Sequence, residues 1–165
     1  MSNGKSPYLS DPNRLADVIA AIQVMSTYKF YKLTFGEWAD RMTADSSRGA
    51  YWQNIFEEHP EFFRLDGDRK KASLVWHRQY PRRFHVDEGR LLSQEEYDAL
   101  DPATKGSRIS RVPLTPADVK TLVDTAINLH TRAIEEQREK RWWLPLASAV
   151  GGLVGGILGA LIGKP

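Results

Sequence analysis

The chain has 165 residues, a formal net charge of +2 and no cysteine. This length suits one ordinary domain with an appendage and is too short for a second full hydrophobic core. The lack of cysteine excludes disulfides, thiolate metal sites and cysteine nucleophiles, and so small a net charge does not identify nucleic acid or lipid as a partner.

The N-terminal stretch MSNGKSPYLSDPNR is polar and lacks the apolar core of a secretory signal, so we expect the body of the protein to stay in the cytoplasm. The first periodic segment runs from about Asp11 to Ser26. Its apolar residues recur at spacings of three and four, which predicts an amphipathic helix. We expect Asp11 or Ser10 to cap this helix, with Pro12 in its first turn.

A short strand and two helices are predicted next. Residues 28–34, YKFYKLT, alternate aromatic or apolar residues with lysine or threonine, a pattern typical of a strand. Thr34 and Glu37 have the spacing of a capping box, which predicts a second helix over FGEWADRM. A third helix is predicted from Ser46 to Glu58, before Pro60.

Two apolar runs around an Asp-Gly turn predict a β-hairpin. They are FFRL (62–65) and ASLVWHRQ (72–79), joined by DGDRKK. The order of elements over about residues 11–80, with the placement of the aromatic residues, resembles the winged helix-turn-helix superfamily, whose wing is the closing hairpin. The resemblance implies a small winged-helix-like domain over residues 1–80. It implies no particular function, because one fold hosts many activities.

Residues 81–114 are interrupted by proline and glycine and predict an irregular linker, with a short helix capped at Ser93. An amphipathic stalk helix is predicted over residues 115–141, with Thr115 as its cap and Pro116 at its first position. Its heptad pattern is too short for a coiled coil. We therefore expect a helix that lies against the globular domain or connects it to the following segment.

The last segment, residues 142–163, has no charged side chain, and about 20 apolar residues span a bilayer as a helix. Basic and then aromatic residues precede it, in the order expected from cytoplasm into hydrocarbon. The predicted fold class is therefore α+β, a small winged-helix-like domain followed by a helical stalk and a single C-terminal transmembrane helix. This topology predicts a tail-anchored, single-pass membrane protein with a cytoplasmic N-terminal domain, in the inner membrane if the organism is bacterial. The residues assigned to the membrane anchor and its interface are Arg138, Lys140, Arg141, Trp142 and Trp143.

Glycine recurs at every fourth position of this last segment, as in a glycine zipper. On a helix these glycines share one face, where two backbones can approach closely. The pattern predicts self-association or pairing with another transmembrane protein, and a glycine-rich anchor without a partner is the alternative. The residues of this face are Gly151, Gly155, Gly159 and Gly163.

The sequence contains no motif of catalytic chemistry. Its four histidines lack the spacing of metal ligands, and neither a P-loop nor a nucleophile elbow is present. Glu57, Glu58 and Glu61 resemble carboxylates for acid–base work, but three acids at a helix end are more typical of a solvated surface. We expect a protein that is not an enzyme, without catalytic, cofactor-binding or metal-binding residues.

Basic residues are concentrated in and after the predicted hairpin, where no acidic residue occurs from position 69 to position 83. Such a patch can contact the phosphates of nucleic acid or anionic lipid headgroups, or it can face water alone. This predicted basic patch consists of Arg69, Lys70, Lys71, Arg78, Arg82 and Arg83.

Acidic residues in the predicted third helix oppose contact with DNA phosphates, so the pattern favours a protein partner over nucleic acid. The leading prediction is a membrane-tethered adaptor or scaffold that presents its winged-helix-like domain to a cytoplasmic protein. Membrane lipid and a second transmembrane chain are its further expected partners. Two alternatives stay open: a membrane-bound DNA-binding regulator that uses the basic hairpin, and a small membrane-perturbing effector that oligomerises through its glycine row.

Overall fold

The computed structural model describes residues 6–139, which form an α+β fold. Its helices are α1 (Arg14–Thr27), α2 (Phe35–Thr43), α3 (Gly49–Glu58), α4 (Gln94–Ala99), α5 (Pro102–Ser107) and α6 (Pro116–Glu139). Its strands are β1 (Leu33–Thr34), β2 (Phe63–Leu65), β3 (Lys71–Leu74), β4 (Phe84–His85), β5 (Arg90–Leu91) and β6 (Ile109–Ser110). Short 3₁₀ turns cover Pro7–Leu9, Ser46–Arg48 and Val75–Gln79.

The first sheet is antiparallel, with the strand order β1-β3-β2, and it packs on the first three helices. Along β3, Ala72 and Leu74 are buried, whereas Ser73 between them lies on the outer face opposite Arg64. The buried indole N–H of Trp38 in α2 donates a hydrogen bond to the Ala72 carbonyl oxygen, at 3.0 Å. This bond joins the helices to the sheet.

Capping boxes begin three helices at the positions that the sequence predicts. In each box the hydroxyl of the capping residue accepts a backbone N–H, and the carboxylate three residues later accepts the N–H of the capping residue. The pairs are Thr34 with Glu37, Ser93 with Glu96 and Thr115 with Asp118. Local hydrogen bonds therefore set these three helix starts.

The long helix α6 packs along α1 and belongs to the same hydrophobic core. Its buried residues include Leu122, Ala126 and Ala133, and the core residues of α1 include Val18 and Ile22. The two alanines have small side chains and permit a close approach of the helices. Of the amphipathic helix predicted over 115–141, the described residues contain α6, Pro116–Glu139, which lies against the globular domain.

The strands predicted over 28–34 and 72–79 and the start of the first predicted helix differ from the structure. The strand predicted over 28–34 is reduced to β1, whose two residues pair with Ala72 and Lys71. The strand predicted over 72–79 ends at Leu74, because its partner strand β2 has only three residues and cannot pair with a longer β3. The first helix begins at Arg14 and not near Asp11.

The predicted irregular linker, residues 81–114, contains a second antiparallel sheet with the strand order β5-β4-β6. Each of these strands has only two residues, too few to produce a visible alternation in the sequence. Ser110 of β6 is buried, and its hydroxyl accepts a hydrogen bond from the backbone N–H of Tyr31, at 3.1 Å. This bond fastens the second sheet to the chain segment before β1.

Within residues 6–139, no helix is both long and apolar enough to cross a membrane. The described helix with the required length, α6, carries acidic and basic residues in both of its halves. The predicted fold class is therefore wrong in its transmembrane helix, and the tail-anchored, single-pass topology and the membrane location are wrong with it.

The predicted span over 142–163 lies outside the described residues. So do Lys140, Arg141, Trp142 and Trp143 of the predicted anchor and the glycine face of Gly151, Gly155, Gly159 and Gly163. Arg138 lies in the last turn of α6.

The starts of α2 and α3 approach each other at Gly36 and Gly49. A Cβ atom at Gly49 would lie 3.0 Å from the backbone nitrogen and 3.2 Å from the Cα atom of Gly36. Backbone atoms of a helix cannot rotate away as a side chain does, so we expect Gly49→Ala to lower the free energy of unfolding by about 1–3 kcal/mol. Chemical denaturation measures this loss.

Gly106→Ala is the control for that measurement, because no atom of the described residues outside its own helix and chain neighbours lies within 4 Å of the added methyl group. It is expected to leave the free energy of unfolding unchanged or to raise it, since alanine favours a helix over glycine. A Gly49→Ala variant as stable as this control would contradict the close contact.

Candidate anion-binding surface

The outer face of the first sheet carries a depression of about 300 Å³. Arg64 and Ser73 reach it from β2 and β3, where they are cross-strand partners. Lys32 comes from the segment before β1, Arg78 from the 3₁₀ turn after β3, and Arg111 from the segment after β6. We call this depression, with its cationic residues Lys32, Arg64, Arg78 and Arg111, the basic pocket.

The positive charge of the basic pocket is largely uncompensated. None of its four cationic side chains forms a salt bridge with another described residue. Asp66 supplies the one carboxylate among the lining residues. It accepts the backbone N–H groups of Lys70 (2.9 Å) and Lys71 (3.1 Å), which hold the pKa of its carboxyl below the usual value. The pocket therefore keeps an excess of positive charge.

Arg111 is held in position before any ligand binds. Its guanidinium donates a hydrogen bond to the carbonyl oxygen of Tyr80. Its carbon Cζ lies 5.1 Å from the centre of the Tyr31 ring, within the range of a cation–π contact. A side chain fixed in this way loses less conformational entropy when it binds an anion.

His77 lines the basic pocket and is only 1 % exposed. Its Nε2–H donates to the carbonyl oxygen of Met25 at 3.1 Å, and its Nδ1 atom has no hydrogen-bond partner among the described residues. Burial lowers the pKa of His77 below 6.5, against the opposing effect of the Met25 carbonyl, and the charge of Arg111 lowers this pKa further. The imidazole is therefore neutral at neutral pH.

Ser73, His77 and Asp66 line the basic pocket together but do not form a catalytic triad. A triad needs a hydrogen bond from the nucleophile to the base and another from the base to the carboxylate. Among the described residues no such bond joins these three side chains. His77 bonds the Met25 carbonyl, and Asp66 accepts amide groups of its own turn. Among the described residues, Ser73 therefore has neither of the two bonds of such a triad.

The structure separates the residues of the predicted basic patch. Arg78 lines the basic pocket, whereas Lys71 and Arg82 line a neighbouring depression of about 210 Å³. Tyr31 and Lys32 line both depressions, so the two are adjacent. Half of the predicted patch therefore lies on or beside the basic pocket.

The other three residues of the predicted patch line neither of these two depressions. Arg69, at the tip of the hairpin with a left-handed φ of 54°, forms a salt bridge with Glu57 of α3 at 2.9 Å. It lines a third depression, beside α3. Lys70 and Arg83 line none of these three depressions.

Sequence reasoning missed Lys32, Arg64 and Arg111 as site residues. A signal was available for the first two, because Lys32 belongs to the alternating YKFYKLT segment and Arg64 occupies an alternate position of the hairpin. Arg111 has no such signal. It reaches the pocket through β6, a strand too short to predict.

The carboxylates at the end of α3 are engaged in structural contacts. Glu57 pairs with Arg69, and Glu58 pairs with Arg14 at 3.2 Å. Glu61 accepts hydrogen bonds from the Tyr8 hydroxyl and the His59 ring, both at 3.0 Å. Across residues 6–139 no group of three or more histidine, cysteine, aspartate or glutamate side chains is arranged to hold a metal ion.

No family model, curated protein or solved structure matches this chain.

His77 provides a test of the pocket's interior through the pH dependence of stability. We expect it to titrate below 6.5, as NMR of its imidazole would measure. The unfolded chain then binds a proton that the folded chain does not, so the free energy of unfolding falls as the pH decreases from about 7 to about 5. His77→Gln, which cannot titrate, should flatten this dependence. An unchanged slope in the variant would contradict the assignment.

Proposed function

We propose that this chain is a non-enzymatic adaptor whose winged-helix-like domain binds an acidic segment of a partner protein at the basic pocket. The observation that carries the proposal is the convergence of Lys32, Arg64, Arg78 and Arg111 on one depression with a single carboxylate. Like charges held close together repel one another, and an acidic ligand relieves that repulsion.

The order of the elements supports the winged-helix-like part of the proposal. The chain runs through α1, β1, α2, α3, β2 and β3, and the hairpin of β2 and β3 closes the unit. In this comparison the hairpin is the wing, and α3 is the second helix of the helix-turn-helix. The basic pocket lies on the outer face of the sheet to which the wing belongs.

The surface of α3 supports a protein partner over duplex DNA. Arg48 lies over the Tyr51 ring, with Cζ 4.6 Å from its centre, and Gln53 donates to Glu57 at 2.9 Å. Glu57 and Glu58 are exposed and would face the phosphates of a DNA groove. A short acidic peptide can reach the basic pocket without lying along this helix.

Binding of a glutamate-rich peptide to the full chain tests the proposal. We expect the double variant Arg64→Ala/Arg78→Ala to weaken binding about tenfold or more, because it removes two of the four converging charges. Fluorescence anisotropy at low salt measures the affinity, with a glutamine-rich peptide as the uncharged probe.

The matched control is Lys120→Ala/Arg132→Ala, which removes two charges from exposed positions of α6. It is expected to bind the glutamate-rich peptide as the parent chain does. Equal losses in the two double variants would mean that only net charge matters, and the proposed site would then be wrong.

A DNA-binding regulator is the second candidate, favoured by the depression next to the basic pocket. There Lys32, Lys71 and Arg82 surround a space that Phe30 and Tyr31 also line. Cations beside aromatic rings bind single-stranded nucleic acid, which offers phosphates and stacked bases. If this candidate holds, a single-stranded oligonucleotide binds with a steep salt dependence. The double variant Lys71→Ala/Arg82→Ala then lowers the affinity for the oligonucleotide and leaves the affinity for the glutamate-rich peptide unchanged. Absence of oligonucleotide binding at low salt would end it.

A further inference from the structure

We propose further that the basic pocket selects a phosphomonoester, so that the acidic segment of the partner carries a phosphorylated side chain. This inference rests on the proposed function and narrows the chemistry of its ligand.

The charge of the pocket exceeds what one carboxylate can balance. Four cationic side chains line a volume of about 300 Å³, and the single acid, Asp66, already accepts two backbone amides. A carboxylate brings one negative charge, whereas a phosphomonoester brings about −1.5 to −2 at neutral pH. The phosphate therefore relieves more of the repulsion among the four cations.

The donors of the pocket also match a phosphate. Arg64 and Arg78 each offer a planar fork of N–H groups, which pairs with two oxygens of a phosphate at once. Lys32 adds a mobile ammonium, and Ser73 lies beside Arg64 with a hydroxyl that makes no hydrogen bond to another described residue. A phosphate has three terminal oxygens to accept these donors, and a carboxylate has two.

The positive region is bounded on the side of α3. The depression that adjoins the basic pocket there shares Arg64, Asp66 and Arg78 with it. Its other charged lining residues, Glu57 and Arg69, form a salt bridge. A long polyanion that continues towards the helix therefore meets a neutralised pair there and gains no further unpaired cation. A single phosphate group on a side chain stays within the cationic part.

Two side chains inside the pocket, Arg111 and His77, need no rearrangement or change of charge to accept such a ligand. Arg111 is already fixed by Tyr80 and Tyr31, so its charge needs no rearrangement. His77 is neutral and neither competes for the anion nor adds to the repulsion. Because its ring lines the pocket, its NMR resonance reports directly on whether the pocket is occupied.

The test compares three peptides of one sequence that carry serine, phosphoserine or glutamate at one central position. We expect the full chain to bind the phosphoserine peptide at least about tenfold more tightly than the glutamate peptide, with a shift of the His77 resonance. Inorganic phosphate should compete, but more weakly than the phosphopeptide, because it lacks the peptide contacts.

A conservative variant separates phosphate selection from simple attraction. Arg78→Lys keeps the positive charge and removes the planar pair of N–H donors of the guanidinium. We expect this variant to bind the glutamate peptide as before and to lose most of the preference for the phosphoserine peptide. Arg132→Lys, on the exposed surface of α6, is the matched control and should preserve that preference.

The results separate the phosphate selection from the binding of an acidic partner. Equal affinity for the phosphoserine and glutamate peptides overturns the phosphate selection and leaves the acidic partner in place. No binding of either peptide overturns both. Inorganic phosphate that binds as tightly as the phosphopeptide, or an oligonucleotide that displaces the phosphopeptide at lower concentration, overturns a phosphorylated protein as the source of the ligand.

Discussion

The burial of Ala72 and Leu74 on the middle strand, with the hydrogen bond from Trp38 to the carbonyl of Ala72, defines which face of the first sheet meets the helices. A buried indole N–H requires an acceptor, and this one finds it on the middle strand of the sheet. Once Ala72 faces the core, the twofold alternation of β3 sends Ser73 to the other side, together with its partner Arg64. The positions of Ser73 and Arg64 in the basic pocket therefore follow from the burial of Ala72 in the core.

Other arginine and lysine side chains of this protein form salt bridges with acidic residues close to them. Arg90 lies between Glu88 and Glu96, and this pairing lowers the pKa of Glu96 to about 2. Further pairs join Arg14 to Glu58, Arg69 to Glu57, Arg108 to Asp87 and Lys120 to Asp124. The four neighbouring cations of the basic pocket differ from these pairs, because none of them has a described acidic partner. Repulsion of this kind costs stability and is typical of a site that binds an opposite charge.

The predictions that succeeded depend on interactions between near neighbours in the chain. A capping box requires only a hydroxyl and a carboxylate three residues apart, and the boxes at Thr34, Ser93 and Thr115 are present as the sequence indicates. The amphipathic pattern of α6 is equally local. Strand lengths depend on distant partners, and for that reason β1 and β3 are shorter than their alternation suggests.

The candidate site was only partly predictable for the same physical reason. A run of basic residues is visible in the sequence, but neighbours in the hairpin point in different directions, and Arg69 turns to Glu57. Lys32, Arg64 and Arg111 are far apart in the chain and meet only when two sheets have formed. Recognising such a cluster requires the tertiary structure, because no spacing rule relates its members.

The hydrogen bond between Ser110 and Tyr31 has a practical consequence for how this protein can be divided. It ties the second sheet to the first and brings Arg111 against the Tyr31 ring. A fragment cut at the predicted boundary near residue 80 would keep the hairpin of β2 and β3 and lose Arg111, which lines the basic pocket. The smallest unit that contains every residue of the basic pocket therefore extends past Arg111 and includes residues of both sheets.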